Sequence, residues 1–396
     1  MQKIAMLGSG FIGRFYADAL LGQRSKDKVT GIYSRREEQA RKFAADYGCN
    51  HASTDMEAVI AHPDVSVVCI ALPNYLHAEA VDLCCKHGKA VLCTKPLGRT
   101  ASEALAMLQA CEKAGIFHGY LEDLVYTPKF LKAEASIRSG ALGRILWAKS
   151  REAHPGPHSD WFWDLEKAGG GCMLDLGCHC VEIARNFIGK DVRPLEVMCW
   201  ADTQVKPIAA EDHAIGLVKY DSGAIGQFEV SWTFRGGMDL RDEVMGTEGT
   251  LWLNSFLRTG FDLFTTGRNA TYMAEKSESA SGWQFPVGDE LNDLGYNHMF
   301  TDMFRALESG AAPSETFYDG YVVNAILDAA YASSRTKLWE PVALPVWRGS
   351  ADSHVARELV SFDDDYYLIK EEQTHFGVTK RILKHKRTGA IIEQTA

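Results

Sequence analysis

The stretch from residue 3 to residue 20, KIAMLGSGFIGRFYADAL, limits the folds open to this chain more than any other. Ile4 to Leu7 is a short apolar run of strand type, and it breaks at Gly8-Ser9-Gly10-Phe11-Ile12-Gly13. Helical spacing follows through Phe15, Ala19 and Leu20. A strand turning through G-x-G-x-x-G into a helix is how a dinucleotide-binding unit opens. Gly8 permits the tight turn, Gly10 has no side chain to hold a pyrophosphate off the backbone, and Gly13 lets the helix pack on the sheet. The first-turn N–H groups and the helix dipole then face phosphate.

The next segments extend that unit. Val29 to Tyr33 reads as a second strand, followed by Ser34-Arg35-Arg36 and a charged helix from Glu37 to Tyr47. The end of this strand meets the adenosine ribose, where an acid binds the ribose hydroxyls and an arginine accommodates a 2′-phosphate. Ser34, Arg35 and Arg36, with no acid before Glu37, favour NADP over NAD. Arginine stacking on adenine in an NAD enzyme is the alternative. A short helix is expected near Asp55 to Ala61. Val65 to Leu72 is a near-continuous apolar strand, as in a parallel sheet covered on both faces. It ends in Pro73-Asn74-Tyr75-Leu76-His77, and a helix runs on to His87. Ala90 to Cys93 is a further strand, ending in Thr94-Lys95-Pro96, with a helix from Ser102 to Ala114. Strands alternating with helices make βαβ units and a parallel sheet, whose ligands lie beyond the carboxyl ends of the strands. The cofactor-facing positions are therefore Gly8, Gly10, Phe11, Ile12 and Gly13; Ser34, Arg35 and Arg36; Leu72, Pro73, Asn74 and His77; and Thr94, Lys95 and Pro96. His77 is better suited to fixing the strand-end loop than to touching substrate.

From Ile116 the pattern loosens, and a boundary is expected between Leu121 and Thr127. Helix Phe130–Ser139, strand Ile145–Ala153 and a Trp- and His-bearing loop lead to Gly169-Gly170-Gly171, which opens another helix. Beyond Asn186, strands near 195–203, 214–220, 224–233, 242–245 and 250–254 recur with little helix between them, which predicts a mostly antiparallel sheet in an α+β second domain. Tyr296–Ser309 and Gly320–Thr336 are expected helices, and the tail from Ala356 is strand-like (Glu358–Phe362, Tyr366–Ile369, Arg381–Lys386, Ala390–Glu393). The expected organisation is an α/β chain: a dinucleotide-binding domain over 1–123, a substrate domain over 124–345 and a strand-rich extension over 346–396. A length of 396 residues agrees with more than one core.

Composition excludes several partners. A net charge of −10 argues against nucleic acid or anionic membrane. No apolar run approaches the roughly 20 residues of a membrane span. The first strand starts too soon for a signal peptide, and ten cysteines without disulfide-scaffold spacing suit a reducing cytoplasm.

Two places carry chemistry. Lys95, at the end of a buried strand and fixed by Pro96, can polarise a carbonyl or steady a developing alkoxide beside nicotinamide. In 169–185, GGGCMLDLGCHCVEIAR, Asp175 and His179 stand four apart on one helix face among apolar neighbours. A buried Asp and His need a partner, a ligand or a shared task. His179 suits the removal of a hydroxyl proton near neutrality; Asp175 can hold its tautomer, bind a substrate hydroxyl, or both. A satisfied core hydrogen bond is the rival reading. Cys178, His179 and Cys180 point about 100° apart on a helix, so no metal site is expected there. His154, His158, Asp160, Trp161 and Trp163 precede this helix, and such a set of rings and polar groups suits a polyhydroxylated ligand.

Taken in order, the GSGFIG opening, PNYLHAEAV, HGKAVLCTKPL, GGGCMLDLGCHCVEIAR, KYDSGAIGQFEVSW and VMGTEGTLWL resemble the Gfo/Idh/MocA family of NAD(P)-dependent oxidoreductases. The similarity spans roughly residues 3 to 345. It implies a Rossmann domain, a C-terminal domain with a large open sheet, sugar or polyol substrates, and a homodimer or homotetramer. The family's catalytic Lys falls on Lys95, and its Asp and His fall on Asp175 and His179. Thr94 stands where the family usually has Glu, and Tyr120-Leu121-Glu122-Asp123 lacks its Asn-Arg pattern, so Glu122 is expected to reach cofactor or substrate. The expected activity is hydride exchange between nicotinamide and a secondary alcohol or ketone of a sugar, glycoside or cyclitol. The alternatives are redox-assisted glycoside cleavage and a non-catalytic nucleotide sensor.

Overall fold

The structure is a computed structural model, and it describes residues 1–23, 26–256, 262–265, 274–277, 281–354 and 359–395. Residues 1–353 form one compact unit and 354–396 a second. The first contains a six-stranded parallel sheet of order β3-β2-β1-β4-β5-β6: β1 Lys3–Leu7, β2 Lys28–Tyr33, β3 His51–Ser53, β4 Val67–Ile70, β5 Ala90–Thr94 and β6 His118–Leu121. The order reverses between β1 and β4, the switch point at which such sheets bind nucleotides. Leu7 pairs with Ile70, Ile70 with Cys93, and Thr94 with Leu121, which levels the carboxyl ends along one edge. Every residue of β4 is buried, as its unbroken apolar run requires.

Helices α1 (Phe11–Gln23), α2 (Glu37–Tyr47), α3 (Met56–Ile60), α4 (His77–Lys86) and α5 (Ala101–Ala114) make the crossovers. Their ends are chemically marked. Asp55 caps α3 by accepting from Ala58 N–H, Thr100 caps α5 by accepting from Glu103 N–H, and Gly48 and Gly115 close α2 and α5 in the left-handed conformation. The short strands β3 and β6 escape sequence reading because β3 is three residues long and β6, HGYL, carries no alternating apolar signal.

After α6 (Pro128–Arg138) and β7 (Ile145–Ala153) come two short helices, α7 (Leu165–Ala168) and α8 (Cys172–Asp175), then α9 (Gly177–Ile188). A second sheet adds β8 (Pro194–Asp202), β9 (His213–Tyr220), β10 (Ile225–Ser231), β11 (Asp239–Gly246) and β12 (Thr250–Asn254). The hairpin β13 (Leu263–Thr265) and β14 (Gly282–Gln284), then α10 (Glu290–Asp293), α11 (Tyr296–Ser309), α12 (Phe317–Thr336) and β15 (Glu340–Pro341) complete the unit. The seven-stranded order is β12-β11-β7-β10-β9-β8-β15. The sheet is mostly antiparallel, as expected; β7 and β10 form its one parallel pair among the described residues, which makes it mixed.

Helices α9 and α12 cover one face of this sheet. Arg185 of α9, fully buried, donates to Glu182 at 3.0 Å and to Asp319 of α12 at 2.5 Å, which ties the two helices together. Helix α11 lies along α1, where the Phe300 and Tyr16 rings meet edge-on at 5.2 Å. Helix α12 also packs on α5, so the helices beyond residue 290 serve both sheets.

The second unit is a three-stranded antiparallel sheet of β16 (Tyr366–Gln373), β17 (Thr379–His385) and β18 (Ile391–Thr395). The expected strand at 358–362 does not form among the described residues; Ser361 makes an isolated bridge with Tyr367. Among the described residues, no helix is long and apolar enough to cross a membrane.

Candidate active site

The carboxyl edge of the parallel sheet opens into a cavity of about 630 Å³ that the mixed sheet closes from the other side. Its first wall is the turn after β1. Gly8 sits at φ 111°, and a Cβ there would lie 2.2 Å from the Ala71 carbonyl oxygen, so only glycine fits. At Gly10 a Cβ would meet nothing within 4 Å, which leaves its backbone open to the cavity beside Phe11 and Ile12 at the start of α1. That is the cradle a dinucleotide pyrophosphate needs. Ser34, Arg35 and Arg36 line the wall beyond, the Ser34 hydroxyl 2.9 Å from that of Ser9. Leu72, Pro73 and Asn74 line it at the end of β4, and Asn74 donates to the Ala168 carbonyl at 2.7 Å.

Four expected cofactor positions lie off this wall. Gly13 serves packing alone, since a Cβ there would fall 2.2 Å from the Gly8 oxygen. His77 is fully buried, with Nδ1 3.1 Å from the Leu97 oxygen and Nε2 2.9 Å from the Leu72 oxygen, and so braces two strand-end loops. Pro96 follows a cis Lys95–Pro96 bond, and Glu122 is fully buried behind the cavity. Thr94 does reach the cavity, and its hydroxyl pairs with that of Tyr16 at 2.8 Å.

Lys95, Asp175 and His179 all line the cavity, but their partnerships differ from the expected one. Asp175 does not orient His179. Lys95 Nζ donates to Asp175 Oδ1 at 2.9 Å and to its carbonyl oxygen at 2.8 Å, while Trp232 Nε1 donates to Oδ2 at 3.1 Å. The Asp175 carbonyl is at hand because the helix breaks between α8 and α9. Burial works to discharge Lys95, but the acidic groups around it, Asp175 foremost, together hold the ammonium well above its usual range. Burial likewise opposes ionisation of Asp175, and Lys95 prevails, holding that carboxyl at about 2. The two are a locked ion pair.

His179 is held by Glu122 instead, with Nδ1 in a short contact with Oε1. Burial pushes Glu122 up to about 8, opposed by the Lys95 ammonium, and pushes His179 down to about 3, with Lys95 adding to that push. Both groups are thus driven toward neutrality. Asp123, next in the chain and on the cavity wall, is raised to about 7 by burial.

No metal site is expected from the spacing of Cys178, His179 and Cys180; in the fold Cys178 and His179 come together with Glu122, their ligand atoms within 4.8 Å of one another. Cys178 donates to the Asp175 carbonyl at 3.2 Å, and burial raises its thiol well above the usual range, so it keeps its proton.

His154, His158, Asp160, Trp161 and Trp163 line the far wall. His154 is buried, accepts from Gly156 N–H at 2.9 Å and is kept neutral by its burial. The His158 ring lies 5.2 Å from that of Phe11, and Trp163 meets Trp232 edge-on at 5.3 Å. Sequence reading passed over Trp232, Glu152, Glu275 and Lys276. Trp232 looked like one more strand aromatic, and only the fold brings Glu275 and Lys276 to the cavity.

Known proteins share this architecture. Residues 2–119 match the oxidoreductase family with an NAD-binding Rossmann fold, and residues 130–252 match the GFO/IDH/MocA C-terminal domain. Levoglucosan dehydrogenase of Pseudarthrobacter phenanthrenivorans is 26% identical over 384 residues, covering 86% of this chain and 98% of its own. The 1,5-anhydro-D-fructose reductase of Ensifer adhaerens is 28% identical over 323 residues, covering 81% and 92%. Among solved structures, GenD2 from gentamicin A biosynthesis in complex with NAD superposes with a TM-score of 0.81 at 27% identity, covering 86% of this chain and 96% of that one. Levoglucosan dehydrogenase in complex with NADH gives 0.74 at 25% identity, covering 86% and 99%. A glycine cradle at the switch point, a lysine and a histidine on one cavity and matches across both halves lead to one assignment: this chain belongs to the Gfo/Idh/MocA family of nicotinamide-dependent oxidoreductases.

Proposed function

We propose that this enzyme interconverts a secondary alcohol and a ketone on a sugar, glycoside or cyclitol, with Lys95 and His179 as its catalytic residues and NADP as its preferred cofactor. The observation that carries the reading is that both side chains line the same cavity as the open backbone of Gly10. A nicotinamide cofactor held at the Gly8–Gly10 turn and the start of α1 would supply the hydride acceptor, or donor, for the carbinol carbon. Everything else falls to the chain.

With Glu122 ionised, Nδ1–H of His179 donates to the carboxylate, and Nε2 presents a lone pair that takes the hydroxyl proton. Lys95, aimed by two hydrogen bonds from its ammonium to Asp175, supplies positive charge for the oxygen as that proton leaves. In the reductive direction the His179–Glu122 pair starts with one more proton, and Nε2–H donates it. Trp161, Trp163 and His158 suit the C–H faces and hydroxyls of a carbohydrate. The NADP preference rests on Arg35 and Arg36, which stand exposed at the cavity after β2, with no acid in the chain between Tyr33 and Glu37.

The test is a nicotinamide reduction screen over levoglucosan, myo-inositol, D-xylose and simple glycosides, run with NAD and NADP in parallel. Lys95→Ala and His179→Ala should each cut turnover by roughly 10²–10⁴. Undiminished turnover in both variants refutes the assignment of roles.

A further inference from the structure

Glu152 is a buried acid on the cavity wall that the mechanism above does not use. It lies on β7, facing Val230 of β10 and Leu240 of β11 in register, and it precedes His154 by two residues. In a strand that spacing sends both side chains to one face, and both line the cavity that holds Lys95 and Asp175. Glu152 is 5% exposed, and its Oε2 is buried without a hydrogen-bond partner. Among the described residues, several others have a buried side-chain oxygen or nitrogen without a partner: Thr30, His51, Tyr120, Glu122, Trp147, Tyr220 and Glu315. None of those lines the cavity; Glu152 does.

The carboxyl has no structural task that accounts for it. The Lys95 ammonium gives its hydrogen bonds to Asp175, not to Glu152. Burial raises Glu152 well above the usual carboxylate range against the pull of Lys95, with the neighbouring acids, Asp175 foremost, adding to the rise. The group therefore keeps its proton and offers one donor and one acceptor side by side. A protein gains no stability from an unpaired buried acid; a leucine or methionine there would be neutral or stabilising. A residue held in that condition inside a ligand cavity is paired when the ligand arrives.

We propose that Glu152 is a substrate-binding residue, hydrogen-bonding a second hydroxyl of a polyhydroxylated substrate while Lys95 and His179 act on the first. The assignment rests on the reading of this cavity as a sugar or polyol dehydrogenase site. It makes the enzyme selective for substrates that carry a further hydroxyl within reach of the reacting one. Without that hydroxyl, Glu152 stays unpaired in the complex and the substrate binds weakly.

The experiment measures KM and kcat for wild type, Glu152→Ala and Glu152→Gln. The probe is whichever of levoglucosan, myo-inositol and D-xylose wild type turns over best, together with its monodeoxy analogues. Glu152→Ala should raise KM about 10- to 100-fold while kcat moves by less than about threefold, and Glu152→Gln, which keeps a donor and an acceptor, should recover most of the loss. One monodeoxy analogue should cost wild type the same factor and cost Glu152→Ala nothing further, because both changes remove the same contact. Melting temperature should hold or rise in both variants, and Glu152→Leu, which also removes the hydrogen bond, carries the kinetic test if Glu152→Ala does not fold. A KM within twofold of wild type in Glu152→Ala or Glu152→Leu, or deoxy penalties that simply multiply with the substitution, overturns the role of Glu152 and leaves the dehydrogenase reading intact. A wild-type protein that reduces neither nucleotide with any of the three compounds overturns the dehydrogenase reading and this proposal with it.

Discussion

Replacing Glu122 with Gln separates the proton inventory of the site from its geometry. In wild type, burial keeps Glu122 protonated up to about 8, so at neutral pH its O–H donates to His179 Nδ1 and the ring carries its own proton on Nε2. That form cannot accept a proton from an alcohol. The base appears only when the pair loses one proton, with a midpoint near the value of about 8 that Glu122 carries. Alcohol oxidation should therefore rise with pH, with kcat/KM at pH 7 about a tenth of its alkaline plateau and at pH 6 about a hundredth. Ketone reduction should run the other way and fall above about 8, because it needs the extra proton. Glutamine preserves the packing and accepts from Nδ1–H through its amide oxygen but cannot titrate. In Glu122→Gln the inflection should disappear from the window between pH 6 and 9. The plateau should also drop roughly 10- to 100-fold, as a charge-assisted hydrogen bond is exchanged for a neutral one. Lys95, Tyr120, Asp123 and Cys178 also surround Glu122, and Asp123, raised to about 7, titrates in the same window. Asp123→Asn is therefore the control and should keep the inflection. Stopped-flow nicotinamide absorbance with carbinol-deuterated substrate keeps the readout on the chemical step. A flat wild-type profile, or an inflection that survives in Glu122→Gln, refutes the reasoning.

Other expectations follow from the same contacts. Asp175→Asn removes the main counter-charge that keeps Lys95 ionised against its burial, and turnover should fall roughly 10²–10³-fold, with the lysine losing its proton at a lower pH than in wild type. Asp242 is buried, bonded to the Ser150 hydroxyl at 2.7 Å and raised by burial to about 7. A raised carboxyl stabilises the fold fully below its unfolded value near pH 4 and loses that contribution as pH rises through about 7. At about 1.4 kcal/mol per pH unit the loss is on the order of 4 kcal/mol, so denaturant unfolding should show Asp242→Asn flattening the decline between about pH 4 and 7. Replacing Arg35 and Arg36 together with Ala should raise KM for NADP about 10- to 100-fold and move KM for NAD by less than about threefold; equal effects on both cofactors would remove the proposed preference.

The parallel sheet was legible because a fully covered strand leaves an unbroken apolar run, as in β4, and because the glycines after β1 mark the nucleotide turn. Tying Asp175 to His179 failed for a physical reason. Spacing of four residues on a helix shows which groups lie on one face, not which of them meets a partner from across the chain. Asp175 was claimed by Lys95, 80 positions away, and His179 by Glu122, 57 positions away. Local pattern also cannot show that a strand acid such as Glu152 ends on a cavity wall rather than in solvent, since alternation assigns it a face without saying what that face meets.

The pairing across the cavity is crossed. Lys95 leaves the end of β5 in the parallel sheet, and its anchor Asp175 comes from α8, beside the mixed sheet. His179 comes from α9, and its anchor Glu122 follows β6 in the parallel sheet. Each of the two proposed catalytic side chains is thus held by a residue from the opposite half of the cavity. Both anchors sit in low-dielectric surroundings, where a hydrogen bond to a charged partner is strong and a lost partner is costly. A small displacement of one half against the other would lengthen both contacts at once, which would discharge the lysine and release the imidazole together. The site is therefore either assembled with the correct proton count on both groups or assembled on neither. That is a stricter condition than proximity alone, and it explains why deep burial is tolerated at Glu122, Asp175 and His179 beside a part-buried Lys95.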